Sequence, residues 1–389
     1  MGNYRDKEFK SKTPRGQTMN GNFLKRVPVA FVALAASVSV FAGSDTDTRL
    51  QQLEQQMKQV RTETAAGTYG AKTAIARPEV DGSGVFLSID ALLWKANVGG
   101  SEYAYTDATP LAGFPQSGTV KQADFDWSWG VRAGVGYNFD HDGWDTYLNF
   151  TYFQSKNSSG TSVDSNASII PLKGAADLTL GSLGKDLLSC LSAETDYKFT
   201  YYNLDLDLGR NYFVSKDLSF RPHFGLKNSW IDLKQDTHYT GGQTLGVNYF
   251  KQDDKSKLWG IGPSTGVNSK WYLGNGVSIF GDAAGSLLWG YFKVNHEELV
   301  SNSPTTASIE ITANEHRFVP TAQLVIGLSY DKYLNNDKCH IGLTLGWESI
   351  YYWRANQMLN IEDFASKKYS RISEDASMTG VTLHLRFDF

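Results

Sequence analysis

The chain lacks most of what soluble enzymes and helical membrane proteins are built from. Two cysteines in 389 residues, Cys190 and Cys339, do not make a disulfide framework. Beyond residue 42 no apolar run is long enough for a transmembrane helix. There is no phosphate-binding glycine loop, no nucleophile motif and no His or Cys pair at metal-ligand spacing, so no catalytic, metal or cofactor site is expected. The seven histidines are scattered, and the net charge of −4 leaves no basic excess for nucleic acid. Aromatics are abundant at 13%, glycine is common at 37 residues, and only 41% of the chain is hydrophobic. That balance suits strands with one apolar face, as in a β-barrel or a large β-sandwich.

The front of the chain reads as an export signal. Lys25 and Arg26 precede an apolar run from Val27 to Phe41, and Val40-Phe41-Ala42 supplies a small-residue exit. Cleavage after Ala42 is expected, with Met19 the natural start and residues 1–18 an extension. Removing residues 1–42 takes seven Lys/Arg and two Asp/Glu from totals of 37 and 41, leaving the chain near −9. Leu50, Leu53, Met57 and Val60 then follow a 3-4-3 spacing, which predicts a short periplasmic coiled coil. Residues 50–60 would support a homo-oligomer such as a trimer, and the Ala/Gly/Thr-rich stretch to residue 80 is a linker.

From residue 81 the pattern changes to period two, which sorts side chains to opposite faces of a strand. Ten strands are predicted at 84–95, 124–139, 144–155, 197–211, 218–233, 257–272, 276–293, 315–330, 339–353 and 378–389. Further strands, twelve to sixteen in all, have room in 96–123, 156–196 and 234–256. The connections alternate long and short, as in an outer-membrane barrel with long outer loops and short periplasmic turns. The last strand, GVTLHLRFDF (380–389), is the clearest. Val381, Leu383, Leu385, Phe387 and Phe389 form an apolar face at the very end of the chain, where a soluble edge strand would be blunted. A barrel explains it: this strand closes the sheet against residues 85–95. The predicted fold class is therefore all-β, an antiparallel transmembrane β-barrel preceded by a short helix. Trp144, Tyr202, Trp230, Trp271, Trp289, Tyr291 and Tyr330 are placed near strand ends as interface girdles.

Charge on a lipid-facing position costs about 2–4 kcal/mol near the midplane, so the charged set should face the lumen. By parity this set is Asp90, Asp126, Arg132, Asp205, Asp207, Arg221, His223, Lys227, Asp282, Glu348, His384 and Arg386. The hairpin around residues 215–217 is expected to bring Asp207 beside Arg221 or His223. Such a mixed-sign wall would set selectivity in a pore, or pair internally and fill a narrow lumen. His296-Glu297-Glu298, Glu315-His316 and Asp253-Asp254 read as solvated loop charges. Cys190, in an expected outer loop, is a candidate for an intermolecular link at the cell surface, and Cys339, at the other end, is out of its reach.

The stretch DFDWSWGVRAGVGYNFDHDGWDTYLNFTYF (124–153) resembles the major outer-membrane porin family shared by legionellae and chlamydia-related bacteria. So do FLSIDALLWKA (86–96), LDLGRNYFVSKDLSFRPHFGL (206–226), LWGIGPSTGVNSKWYLGNGVSIFGDA (258–283) and the terminal strand. The resemblance implies an outer-membrane porin passing small hydrophilic solutes and ions, with outer loops open to host-cell contact or antigenicity. The alternative is a structural or adhesive protein with a plugged lumen; an outer-membrane hydrolase comes last. Chlamydial members are cysteine-rich and cross-linked, and two cysteines do not supply such a network.

Overall fold

The structure, a computed structural model, describes residue 79 and residues 83–108, 117–140, 142–173, 190–245, 249–302, 305–334, 339–363 and 368–389. The expected signal, coiled coil and most of the linker lie outside the described residues. In chain order the elements are β1 (Gly84–Val98), β2 (Glu102–Asp107), β3 (Gly118–Gln122), β4 (Ser128–Asn138), β5 (Trp144–Ser162) and β6 (Ser168–Pro171). Then come β7 (Ser192–Arg210), β8 (Tyr212–Ser215), β9 (Leu218–Thr240), the short α1 (Gly242–Leu245), β10 (Tyr249–Gly274) and β11 (Val277–Asn302). The chain ends with β12 (Thr305–Leu334), β13 (Cys339–Asn356), β14 (Leu359–Asp363), β15 (Lys368–Arg371) and β16 (Glu374–Asp388).

Ten of these strands close into one antiparallel barrel, in the order β1-β4-β5-β7-β9-β10-β11-β12-β13-β16 and back to β1. The last strand pairs with the first from Phe86↔Asp388 to Val98↔Ala376. The final amide, of Phe389, donates to the Val85 carbonyl at 3.1 Å. The extra room in 96–123 and 156–196 holds β2, β3 and β6, which form a separate three-stranded sheet at the outer end rather than barrel strands.

Both ends of the barrel chain lie with the short turns. The two-residue turn Asn275-Gly276 has φ of 55° and 81°. Positive φ at both central residues is the type I′ geometry that matches strand twist, and Asn-Gly is its preferred sequence.

The strands outrun their predicted length at the other end. β10 and β11 have 26 residues each and β12 has 30, where a tilted span needs only about 9–11. The expected long loops at 234–256 and 294–314 are mostly strand, because the alternation continues there with its polarity reversed. On β10, Trp271, Val267, Ile261 and Trp259 point outward across the lipid-facing half, while Lys257, Lys255, Asp253 and Lys251 point outward beyond it. Inward, the reverse holds: Asn268 and Lys270 below, Leu258 and Phe250 above. The switch falls at one hydrogen-bonded row of outward rings running through Tyr152, Tyr202, Trp230, Trp259, Tyr291 and His316. Tyr202, Trp230, Trp289 and Tyr291 are thus girdle residues in mid-strand, not at strand ends, because the barrel stands well clear of the bilayer.

The lipid face can be tested by one charge. Leu345, 53% exposed near the middle of the band, should cost about 2–4 kcal/mol on change to arginine. Thr312→Arg, outward above the ring row, should cost under about 0.5 kcal/mol. Urea titration of folding into lipid vesicles checks both.

Candidate functional site: the barrel interior

The lumen has two zones. The half nearer the turns is a polar chamber of about 330 Å³. Its wall follows from strand parity: Asp90, Arg132, Asp205, Asp207, Arg221, His223, Asp282, Glu348, His384 and Arg386 all line it. Lys227 also points inward and is buried against Asp205. Asp126 does not join them. It lies ahead of β4, exposed, because the chain leaves the wall there to drive Phe125 into the interior against Tyr197 and Phe199.

Most of the charges pair with one another. Arg132 Nη2 donates to Glu348 Oε1 at 2.7 Å, and its Nη1 donates to Asp90 Oδ2 at 3.0 Å. Asp90 also meets His384 Nδ1 at 2.6 Å, and Glu348 accepts from Thr382 Oγ1 at 2.7 Å and Gln323 Nε2 at 2.8 Å. Lys227 Nζ donates to Asp205 at 3.0 Å. The hairpin reading expected Asp207 beside Arg221 or His223; all three line the chamber, but among the described residues neither Arg221 nor His223 forms an ion pair with Asp207. Arg221 Nε donates to Asp145 Oδ2 at 2.8 Å. The register sets Asp207 opposite Gly225 and leaves Arg221 four residues lower, where a strand further round is within its reach. Asp207 and Asp282 face the chamber with no ion pair among the described residues.

Above the chamber the interior is packed with apolar side chains. Trp94, Phe153, Phe199, Tyr201 and Tyr352 are fully buried and pack with Leu92, Phe125, Leu258, Leu288, Phe292, Met358 and Met378 into one apolar core. Tyr201 on β7 and Tyr352 on β13 lie five strands apart on the ten-strand ring, so they face each other across the full bore. Their hydroxyls are 3.0 Å apart, and Ser229 Oγ lies 2.9 Å from Tyr352 Oη. Rings with one polar edge can bury their bodies and still satisfy their hydroxyls.

A second polar group lies beyond this layer, inside the extension and outside the lipid-facing zone. His296 is fully buried between Asp254 and Glu298, at 2.5 Å from Nδ1 and 2.7 Å from Nε2. Burial alone would push the imidazole down, but the hydrogen bonds and charges of the two carboxylates outweigh it and hold it up at about 9. Lys173, also buried, donates to Gln235 Oε1 at 2.7 Å. Asp254, His296 and Glu298 were expected to be solvated loop charges. His296 and Glu298 share the inward parity of Phe292, Val294 and Val300, and that signal was available in the sequence. Cys190 is fully buried against Ile169, Tyr239 and Phe250 rather than displayed at the surface, and burial pushes its thiol up to about 12, so it is not placed for a surface link. Both cysteines are free.

Among protein families, the Legionella pneumophila major outer membrane protein precursor family matches residues 78–389. No curated protein matches. Among solved structures, the Escherichia coli outer membrane protease OmpT aligns at 9% identity and a TM-score of 0.39, over 81% of this chain and 100% of its own. A major outer membrane protein from Thermus thermophilus aligns at 8% and 0.28, over 79% and 99%. The Ralstonia pickettii toluene transporter TbuX aligns at 11% and 0.31, over 79% and 89%.

The ionic geometry can be tested at two places. Arg132→Met should leave Asp90 and Glu348 buried without their cation and cost about 3–5 kcal/mol. Arg132→Met with Glu348→Gln should recover part of the loss, read as the temperature at which the folded band is lost in a heat-modifiable gel. The imidazole of His296 has a raised pKa, so its contribution to stability is full below about 6.5 and is lost as pH rises through about 9. The protection factors for hydrogen exchange in residues 250–256 and 294–300, which remove the intrinsic rise of exchange with pH, should therefore fall between about pH 7 and 9.5, and His296→Gln should flatten that dependence.

Proposed function

Because the chain belongs to the Legionella pneumophila major outer membrane protein family, we propose that it is a closed outer-membrane barrel whose role is structural and surface-presenting. In this reading it has no enzymatic activity. The observation that carries it is the Tyr201–Tyr352 contact across the bore, within a fully buried ring of aromatic side chains. These side chains come mainly from the wall itself. A loop plug can swing aside; a wall side chain leaves only by changing rotamer into space that the packed interior does not offer.

A second reading, a porin for small hydrophilic solutes and ions, draws support from the chamber. Its wall carries both signs of charge, and Asp207 and Asp282, which lack an ion pair among the described residues, would favour cations. That reading requires the aromatic layer to part.

Planar-bilayer recording of the full chain separates the two. The closed reading expects no current steps above lipid background and no swelling of protein-loaded liposomes in small sugars. Reproducible steps from the wild-type protein, abolished by Asp207→Asn and Asp282→Asn or made less cation-selective by them, would establish the porin instead.

A further inference from the structure

Four lysines stand side by side on the outside of the barrel. Lys156 on β5 lies directly opposite Lys198 on β7, Lys198 opposite Lys234 on β9, and Lys234 opposite Lys255 on β10. One register lower, Lys257 lies opposite Lys293. Like charges directly across a strand pair destabilise it, so an uninterrupted row of four is unfavourable unless an anion completes it. The protein completes only one end. Asp253 and Asp236 reach Lys234 and Lys255, while Lys156, Lys198 and Lys293 have no ion pair among the described residues.

The height of the row identifies the missing anion. Each of the four lysines is four residues beyond an outward ring on its own strand, those of Tyr152, Tyr202, Trp230 and Trp259. At ~3.3 Å per residue and a tilt of about 40°, that is roughly 10 Å above the ring row. Aromatic belts mark headgroup level, and lysine stems reach back toward it. The next row outward is acidic, with Asp196 opposite Asp236, Asp236 opposite Asp253 and Asp253 opposite Glu297. A soluble polyanion arriving from outside meets the carboxylates first. A phosphate rising from the membrane meets the lysines first.

The geometry points to a binding surface on β5, β7, β9 and β10 for the phosphates of an outer-leaflet phosphorylated glycolipid. The row spans four strands at ~4.8 Å spacing, about 14 Å in all, which gives two phosphates a pair of lysines each. Bound lipid would offset the like-charge row and anchor the extension at a fixed height. The inference rests on the outer-membrane location and is independent of whether the lumen conducts.

The test uses the full chain in phosphatidylcholine nanodiscs, titrated with diphosphorylated lipid A or with its dephosphorylated form, and read by native mass spectrometry. The wild type should retain the diphosphorylated lipid, and K156Q/K198Q/K234Q/K255Q should bind it at least about tenfold more weakly. K216Q/K332Q, at the turn end, should bind as wild type does. Inorganic phosphate at about 10 mM, which competes for a simple lysine site, should not displace the lipid. If the quadruple variant does not insert, K156Q/K198Q removes the two lysines of the row that lack an ion pair, breaks none, and should still weaken binding about threefold. Equal binding by the lysine variants, equal retention of the dephosphorylated lipid, or displacement by inorganic phosphate overturns the proposal.

Discussion

Everything in this molecule depends on the seam where the last strand meets the first. In a bilayer an unpaired backbone amide or carbonyl costs several kcal/mol, so a sheet survives there only without edges. β16 lies between β13 and β1, and its register with both is continuous through the lipid-facing half. Register then fixes which side chains meet. Asp90 is directly opposite Arg132 on one side and His384 on the other because the pairing is what it is. A slip of one residue would send those charges into lipid and Leu87, Ile89, Leu383 and Leu385 into the lumen. The ionic network is thus a consequence of closure and in turn penalises any other closure.

Ten strands make a narrow bore, and narrowness explains the interior. A charge on that wall sits too close to the opposite wall to be hydrated as it would be in a wide channel, so it pairs across the lumen. Arg132, reaching from β4 to Glu348 on β13, is the clearest case. Where the outside changes from lipid to water, the constraint inverts. Beyond the ring row the outer face can carry lysine and aspartate freely, and the barrel behaves as a soluble one, holding itself together by burying Phe250, Leu258, Phe292 and Val294 inside. The same ten strands therefore serve two solvents with opposite polarity codes.

This inversion marks where sequence reasoning succeeds and where it stops. The ten barrel strands are legible wherever apolar side chains face out, because alternation against a charged lumen is strong; GVTLHLRFDF and its partner 85–95 pair from pattern alone. Residues 251–257, KQDDKSK, alternate charged-out and polar-in, and such a stretch is indistinguishable from a wet loop unless the reader already knows that a barrel continues. Asp254, His296 and Glu298 were lost for that reason. Of the charges assigned to the lumen, Asp126 alone stands off the wall, since its parity was right but its strand had not begun; Asp145, Lys270, Asp331 and His340 also line the chamber and were left out of that set. The pairing of Arg221 with Asp145 was not legible, since it crosses strands that no hairpin joins.

The position of the aromatic closure follows from the same accounting. In the lipid-facing half the inward rings, among them Phe86, Tyr147, Tyr272 and Phe280, are interleaved with the ion pairs and leave a chamber between them. Further out, at the loops, the interior is capped by β2 and β6 and by Leu245 and Cys190. Between these two zones inward apolar side chains predominate, and the rings of Trp94, Phe199, Tyr201 and Tyr352 fill the bore there. Those rings hang from strands whose hydrogen bonds fix the circumference. Widening the bore would require stretching the ladder that keeps the protein in the membrane, and emptying it would leave a cavity lined by rings, at about 3–5 kcal/mol for each one withdrawn. The closure that admits this chain to lipid therefore also fixes the circumference within which those rings are packed.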